Sequence, residues 1–306
     1  MINMLLPGYE PRIGTSLAKV EYELSLEYQL EKVIWCAEKF REKLKTDTHV
    51  NDLDHDTYFS LDTLVTATAT LVEFYYSNVI YSLISTIIDE PKKVEFRGLD
   101  ESNLEQRKKE IFRNFRIGEL TQGDDNFKKA HRKKCSEHFD KYLEFIISGR
   151  YDVLFEINNH IKHNGRLRGF YLKIRSTREE FIKSHFLLFT NESEYLFKNK
   201  TIKKLLEADY NSASENISEL VIGDMTCSIV KKYGNFTFFS MDNVIYVKSN
   251  IGAGLTSNSI VHMSYRLSLE ILGHLINAKK GQITTLNKLN QFRKKIECEM
   301  ESITLV

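Results

Sequence analysis

Between residues 15 and 46 the apolar positions fall at Leu24, Leu26, Tyr28, Leu30, Val33, Ile34, Ala37 and Phe40, with Glu and Lys between them. That spacing makes one broad apolar face and predicts an amphipathic helix over 15–46. Residues 47–59 are polar and acidic, which suits a loop. Ser60 is placed to cap a second helix that runs to about Asp89 and stops before Pro91. This second segment is apolar nearly all round, so its expected place is the centre of a bundle. Shorter amphipathic patterns predict helices over 102–117 and 126–148, the second broken by Gly149, and another over 150–163 that stops at Asn164–Gly165.

After Gly165 the pattern changes. Segments 167–175, 184–190, 221–231, 235–240 and 243–248 are rich in β-branched and aromatic residues. Gly234–Asn235 and Asp242–Asn243 read as tight hairpin turns. Helical pieces are expected at 176–184, 197–208 and 213–220, and a flexible loop at Gly252–Asn258. Two helices, about 258–279 and 282–302, follow. No fixed-period repeat and no Pro- or Gly-rich linker divides the chain. The expectation is a mainly α protein: a multi-helix bundle over 1–306 in one composite domain, with a small antiparallel β-hairpin or sheet inserted at about 167–250.

Composition narrows the function. The 306 residues can bury a sizeable core. A formal net charge of +1 supplies no global field for nucleic acid or membrane, so any such attraction must be local. Leu61–Ile88 is the only membrane suspect; its charge-free part, 74–88, is shorter than the ~20 apolar residues a span needs. Cys36, Cys135, Cys227 and Cys298 form no CxxC, which suits reduced thiols in the cytoplasm. Met1–Gly8 lacks the length and basic lead of a signal peptide. No Walker loop, nucleophile elbow, HExxH or dinucleotide fingerprint is present.

The chemistry is densest at Asn158-Asn159-His160-Ile161-Lys162-His163-Asn164-Gly165, followed by Arg166 and Arg168. On a helix, Asn159 and His163 share a face at i and i+4, and Asn158 stands the same way to Lys162. A phosphodiester site needs a group that moves a proton near neutral pH and cations that stabilise the phosphorane. The bland reading is a helix end where Lys162 and His163 meet the negative end of the dipole.

This run resembles the signature of HEPN proteins (higher eukaryote and prokaryote nucleotide-binding). The resemblance implies an all-α, commonly dimeric bundle of the kind found in bacterial toxin and phage-defence systems, whose active members are metal-independent ribonucleases. Their motif is an arginine, usually followed by a polar residue, then a histidine after four to six residues. His163 matches the histidine and Asn159 the polar residue; Asn158 stands where the arginine would be. By this resemblance His163 is the proton-transfer group, with Asn158, Asn159 and Lys162 completing the catalytic cluster. Arg166 or Arg168 would neutralise charge, no cofactor is needed, and a homodimer is expected. The missing arginine leaves a second reading open, a non-catalytic scaffold or protein-interaction module.

Three other constellations stand out in the chain. Arg107–Lys134 holds ten Lys or Arg against four acids, with Phe112, Phe115 and Phe127 among them; Lys133 and Lys134 would contact RNA phosphate there. A solvated helix face is the plainer account. His131, Cys135 and His138 lie on one helical face, yet one straight helix cannot surround a tetrahedral zinc ion. The alternating Asp52, Asp54 and Asp56 fail as a calcium loop, because Thr57 falls at the glycine position and Thr63 at the closing glutamate.

Overall fold

The computed structural model describes residues 17–46, 55–84, 106, 125–163, 168–175, 181–190, 203, 207, 219–222, 225–278 and 283–303. Its named elements are helices α1 (Leu17–Thr46), α2 (His55–Ile84), α3 (Asp125–Tyr142), α4 (Glu144–Ile147), α5 (Asp152–His163), α6 (Ser257–Ala278) and α7 (Ile283–Glu301), and strands β1 (Arg168–Arg175), β2 (Phe181–Thr190), β3 (Glu219–Ile222), β4 (Met225–Tyr233), β5 (Phe236–Met241), β6 (Val244–Ser249) and β7 (Gly252–Thr256). The protein is mainly helical with an antiparallel sheet.

The α1 pattern translates directly into burial: Leu26, Leu30, Val33, Ile34, Ala37 and Phe40 are all in the core. α2 packs on α1, α3, α5 and α6, the central place its all-round apolar sequence predicts. It begins earlier than expected. His55–Phe59 already form its first turn, and Ser60 is no cap; its hydroxyl donates to the Asp56 carbonyl at 2.7 Å. Asp56 sits in the first turn, where an acid favours the dipole, and Lys43 near the end of α1 reaches it at 3.0 Å. α3 gives way to the short α4 around Leu143, and Gly149 then takes a positive φ of 75° before α5 starts.

The sheet has seven strands in the order β1-β2-β7-β6-β5-β4-β3, antiparallel throughout. It takes in more of the chain than the pattern marked. Gly252–Thr256, expected as a flexible loop, is an interior strand between β2 and β6. Residues 181–184 belong to β2 and 219–220 to β3, where helical pieces were expected. Propensity misled at β7 because its two glycines look like loop residues, but a central strand tolerates them where neighbours come close. A Cβ on Gly254 would sit 1.8 Å from the Leu187 carbonyl oxygen, so that close approach admits only glycine. The two turns read from sequence are present: Gly234 has φ 56°, and Asp242 and Asn243 have φ 52° and 60°.

Strand residues alternate between two cores. Leu187, Phe189, Phe239, Val244, Tyr246, Ala253 and Leu255 join the helical residues in one cluster, while Phe186, Leu188, Phe238, Ile245 and Val247 form a second on the opposite face. α6 links sheet and bundle, touching β2, β6 and β7 as well as α1, α2 and α7. β7 runs straight into it. The Thr256 hydroxyl accepts the Ser259 backbone N–H at 3.3 Å, an N-cap. The helix expected over 102–117 and the strip 164–167 lie outside the described residues, apart from Gln106, which is helical. Among the described residues no helix is long and apolar enough to cross a membrane.

Candidate functional site

α5 carries the motif and is strongly two-faced. Val153, Leu154, Phe155 and Ile157 point into the core; Asn159 and Lys162 are exposed. Asn158 follows Leu154 by one turn and is carried inward with it, only 4% exposed, and its Oδ1 has no hydrogen-bond partner. The solvent-facing amide pair expected at 158–159 therefore reduces to Asn159. Asn158 and Lys162 share a helical side but not an environment, because the core ends before the last turn does.

His163 closes α5, and its side chain lies outside the described residues. Arg166 lies outside them too. Arg168 opens β1 opposite Leu188, its side chain likewise not described. The imidazole the structure does describe here is that of His160, which sequence reasoning passed over. It is buried, edge-on to Phe189 with ring centroids 6.4 Å apart, and burial pushes its pKa down. β1 is anchored next to it in sequence: the Gly169 N–H donates to the Tyr58 hydroxyl at 3.1 Å, and a Cβ on Gly169 would meet the His185 Nε2 at 2.6 Å.

Lys133 and Lys134 are exposed on α3 beside Lys129 and Arg132, and Lys133 lies 3.9 Å from Glu137. The basic run up to residue 124 lies outside the described residues. His138 packs against Tyr142 with ring centroids 5.2 Å apart and planes tilted by 52°, and burial lowers its pKa. The side chains of His131 and Cys135 are not described; among the described residues no cluster of three or more metal-ligating side chains occurs.

The opposite end of α5 holds a feature that no sequence motif marks. A cleft of about 200 Å³ opens between the Ser148–Tyr151 turn, the Asp242 turn, β6 and α6. Gly149 on one lip and Asp242–Asn243 on the other have left-handed backbone, so both lips are tight turns. Arg150, His262 and Arg266 line the cleft, with Met241, Tyr246 and Met263 among its apolar walls. Behind it runs a polar chain. Glu270 accepts from Arg150 at 2.8 Å and from the Tyr151 hydroxyl at 2.6 Å. Deeper, the Tyr75 hydroxyl donates to the Tyr142 carbonyl at 3.0 Å and lies 2.5 Å from His274 Nδ1. Burial, then the neighbouring Tyr142 and Glu270, hold the Tyr75 phenol well above its ordinary pKa, so it stays a proton donor. The sequence signal for the cleft was the pair His262 and Arg266, four residues apart on a helix whose other residues are mostly apolar or Ser.

No family model matches the chain, and neither the curated proteins nor the solved structures include a significant match to it.

Proposed function

We propose that the chain is a HEPN-like protein directed at RNA, which it meets at the C-terminal end of α5. The observation that carries this reading is the exposure of Asn159 and Lys162 on the last turns of the helix, immediately ahead of His163. Lys162 supplies a cation for a phosphate and Asn159 a hydrogen-bonding amide one turn before the imidazole. The exposed Lys129, Arg132, Lys133 and Lys134 on α3 extend the basic surface available to a strand of RNA. In the catalytic version His163 transfers the proton, Arg166 or Arg168 neutralises the developing charge, and a homodimer sets two such helix ends side by side.

One observation favours the second reading, a binding or scaffold module that leaves its RNA or protein partner intact. The position where active HEPN members carry their arginine is Asn158, which is buried. A guanidinium is therefore absent from the helix, and the residue in its place faces away from solvent.

The test is incubation of the purified protein with single-stranded RNA in the presence of a metal chelator. Cleavage that disappears in His163→Ala, with the circular dichroism spectrum retained, selects the enzyme. Retention of intact RNA that weakens in Lys162→Ala and falls with rising salt selects the binding module. Neither cleavage nor retention by folded protein rejects both.

A further inference from the structure

The cleft beyond the N-terminal end of α5 lies about 16 Å along the helix from its last turn and shares no residue with the RNA reading, on which nothing here depends. Its charges are arranged unusually. Arg266 and Glu270 stand at i and i+4 on α6, the spacing at which such residues ordinarily pair. They are not paired here. Glu270 is taken by Arg150 and Tyr151 from the adjoining turn. Arg266 is left without a carboxylate partner among the described residues, and its one hydrogen bond is a 3.3 Å contact from Nη1 to the Asp242 carbonyl. Most of its guanidinium N–H groups are thus available. His262 stands one turn earlier on the same face and lines the same space.

We propose that this cleft binds a small phosphate monoester, with the phosphate held by Arg266 and His262 and the carbon skeleton laid against Met241, Tyr246 and Met263. Three features select that ligand class. A guanidinium fork beside an imidazole offers several donors converging from one side, which three phosphate oxygens can accept and a carboxylate's two oxygens satisfy less completely. Beside the apolar Met241, Tyr246 and Met263 the lining carries Ser148 and the Asp242 carboxylate, hydrogen-bonding groups that suit a carbon skeleton bearing hydroxyls. The volume is below that of typical drug-sized sites, which limits the ligand to a phosphate with about one ring or a short chain. The two tight-turn lips fix the entrance before the ligand arrives, so binding carries little ordering cost.

The experiment is a calorimetric titration of the full chain with inorganic phosphate and with ribose 5-phosphate, with acetate as the carboxylate control. Saturable binding of both phosphates, tighter for the monoester and weaker for acetate, is expected. Arg266→Gln should weaken phosphate binding about tenfold or more, and His262→Gln by a smaller factor. Arg266→Lys keeps the charge but not the fork, so it should bind between wild type and Arg266→Gln, and it serves if Arg266→Gln does not fold. Lys294→Gln, which removes an exposed cation on α7, should bind as wild type does. Absence of saturable phosphate binding in the folded wild type overturns the proposal, as does unchanged affinity in the folded Arg266 variants. Tighter binding of acetate than of phosphate assigns the cleft to carboxylates and overturns it also.

Discussion

Replacing Asn158 with Leu should make the protein more stable. Asn158 is 4% exposed, and its Oδ1 accepts no hydrogen bond. A buried acceptor left unsatisfied costs about 1–3 kcal/mol relative to one that stays in water. Leu has the branching and the number of heavy side-chain atoms of Asn, so it removes that penalty at a small cost in packing. Against this stands any bond made by the side-chain amide N–H groups, worth about 1 kcal/mol. The net expectation is a gain of about 1–2 kcal/mol, or a rise in thermal midpoint of about 2–6 °C for a chain of this size. Asn158→Arg supplies the arginine that the proposed HEPN-like reading lacks but places a cation where the core is, and should cost about 3–5 kcal/mol. Differential scanning calorimetry with urea unfolding measures both. If Asn158→Leu proves destabilising by more than about 1 kcal/mol, the carbonyl is hydrogen-bonded in solution and the burial argument fails. If Asn158→Arg folds with native stability, residue 158 reaches solvent. The RNA binding proposed above should survive Asn158→Leu, because the exposed residues of the helix are untouched.

Gly254→Ala should cost about 3 kcal/mol or abolish folding, since the added Cβ would fall 1.8 Å from the Leu187 carbonyl oxygen; Gly234→Ala, with nothing within 4 Å and only its φ of 56° to strain it, should cost about 1 kcal/mol, both read by urea denaturation. Burial lowers the His160 pKa from its ordinary 6.5, and His138, His262 and His274 shift the same way. Below pH 6.5 the unfolded chain therefore binds more protons than the folded one, so stability is full above that pH and falls on acidification; His160→Gln should flatten part of the decline in thermal midpoint measured between about pH 7 and 5. Cys298 is exposed, whereas Cys36 is buried with its thiol pKa raised, chiefly by that burial. Peptide mapping after brief alkylation should find Cys298 modified and Cys36 protected until denaturant is added.

The helices were legible because their periodicity and burial report the same thing. Leu26, Leu30, Val33, Ile34, Ala37 and Phe40 mark one side of α1 in the sequence and lie in the core of the fold. The strand pattern was legible where β-branched and aromatic residues cluster, as in Val244–Val247, and where a turn needs left-handed residues, as at Asp242–Asn243. β7 was not legible, because Gly252-Ala253-Gly254 has the composition of a loop and owes its strand to the two neighbours that flank it. At the candidate site, spacing put Asn159 and Lys162 on the outside of a helix end, and both are exposed. Spacing could not say that Asn158 would turn inward, since a helical period fixes relative angle and not which side meets the core. The cleft at Arg266 was hidden for a different reason. It depends on Arg150 claiming Glu270 across 120 residues of sequence, a pairing no local pattern encodes.

The strand order also sets a schedule for synthesis. β2 and β6 acquire their shared neighbour only when residues 252–256 have left the ribosome, and α6, which rests on both the sheet and the first two helices, follows directly. Until then the nascent chain has two open strand edges and an uncovered side of α2, the surfaces that chaperones recognise and that pair wrongly with other chains. Late completion from the C-terminal side makes the whole fold hostage to its last fifth. Frameshifts or proteolytic cuts ahead of residue 252 should leave aggregating fragments and not a working N-terminal part.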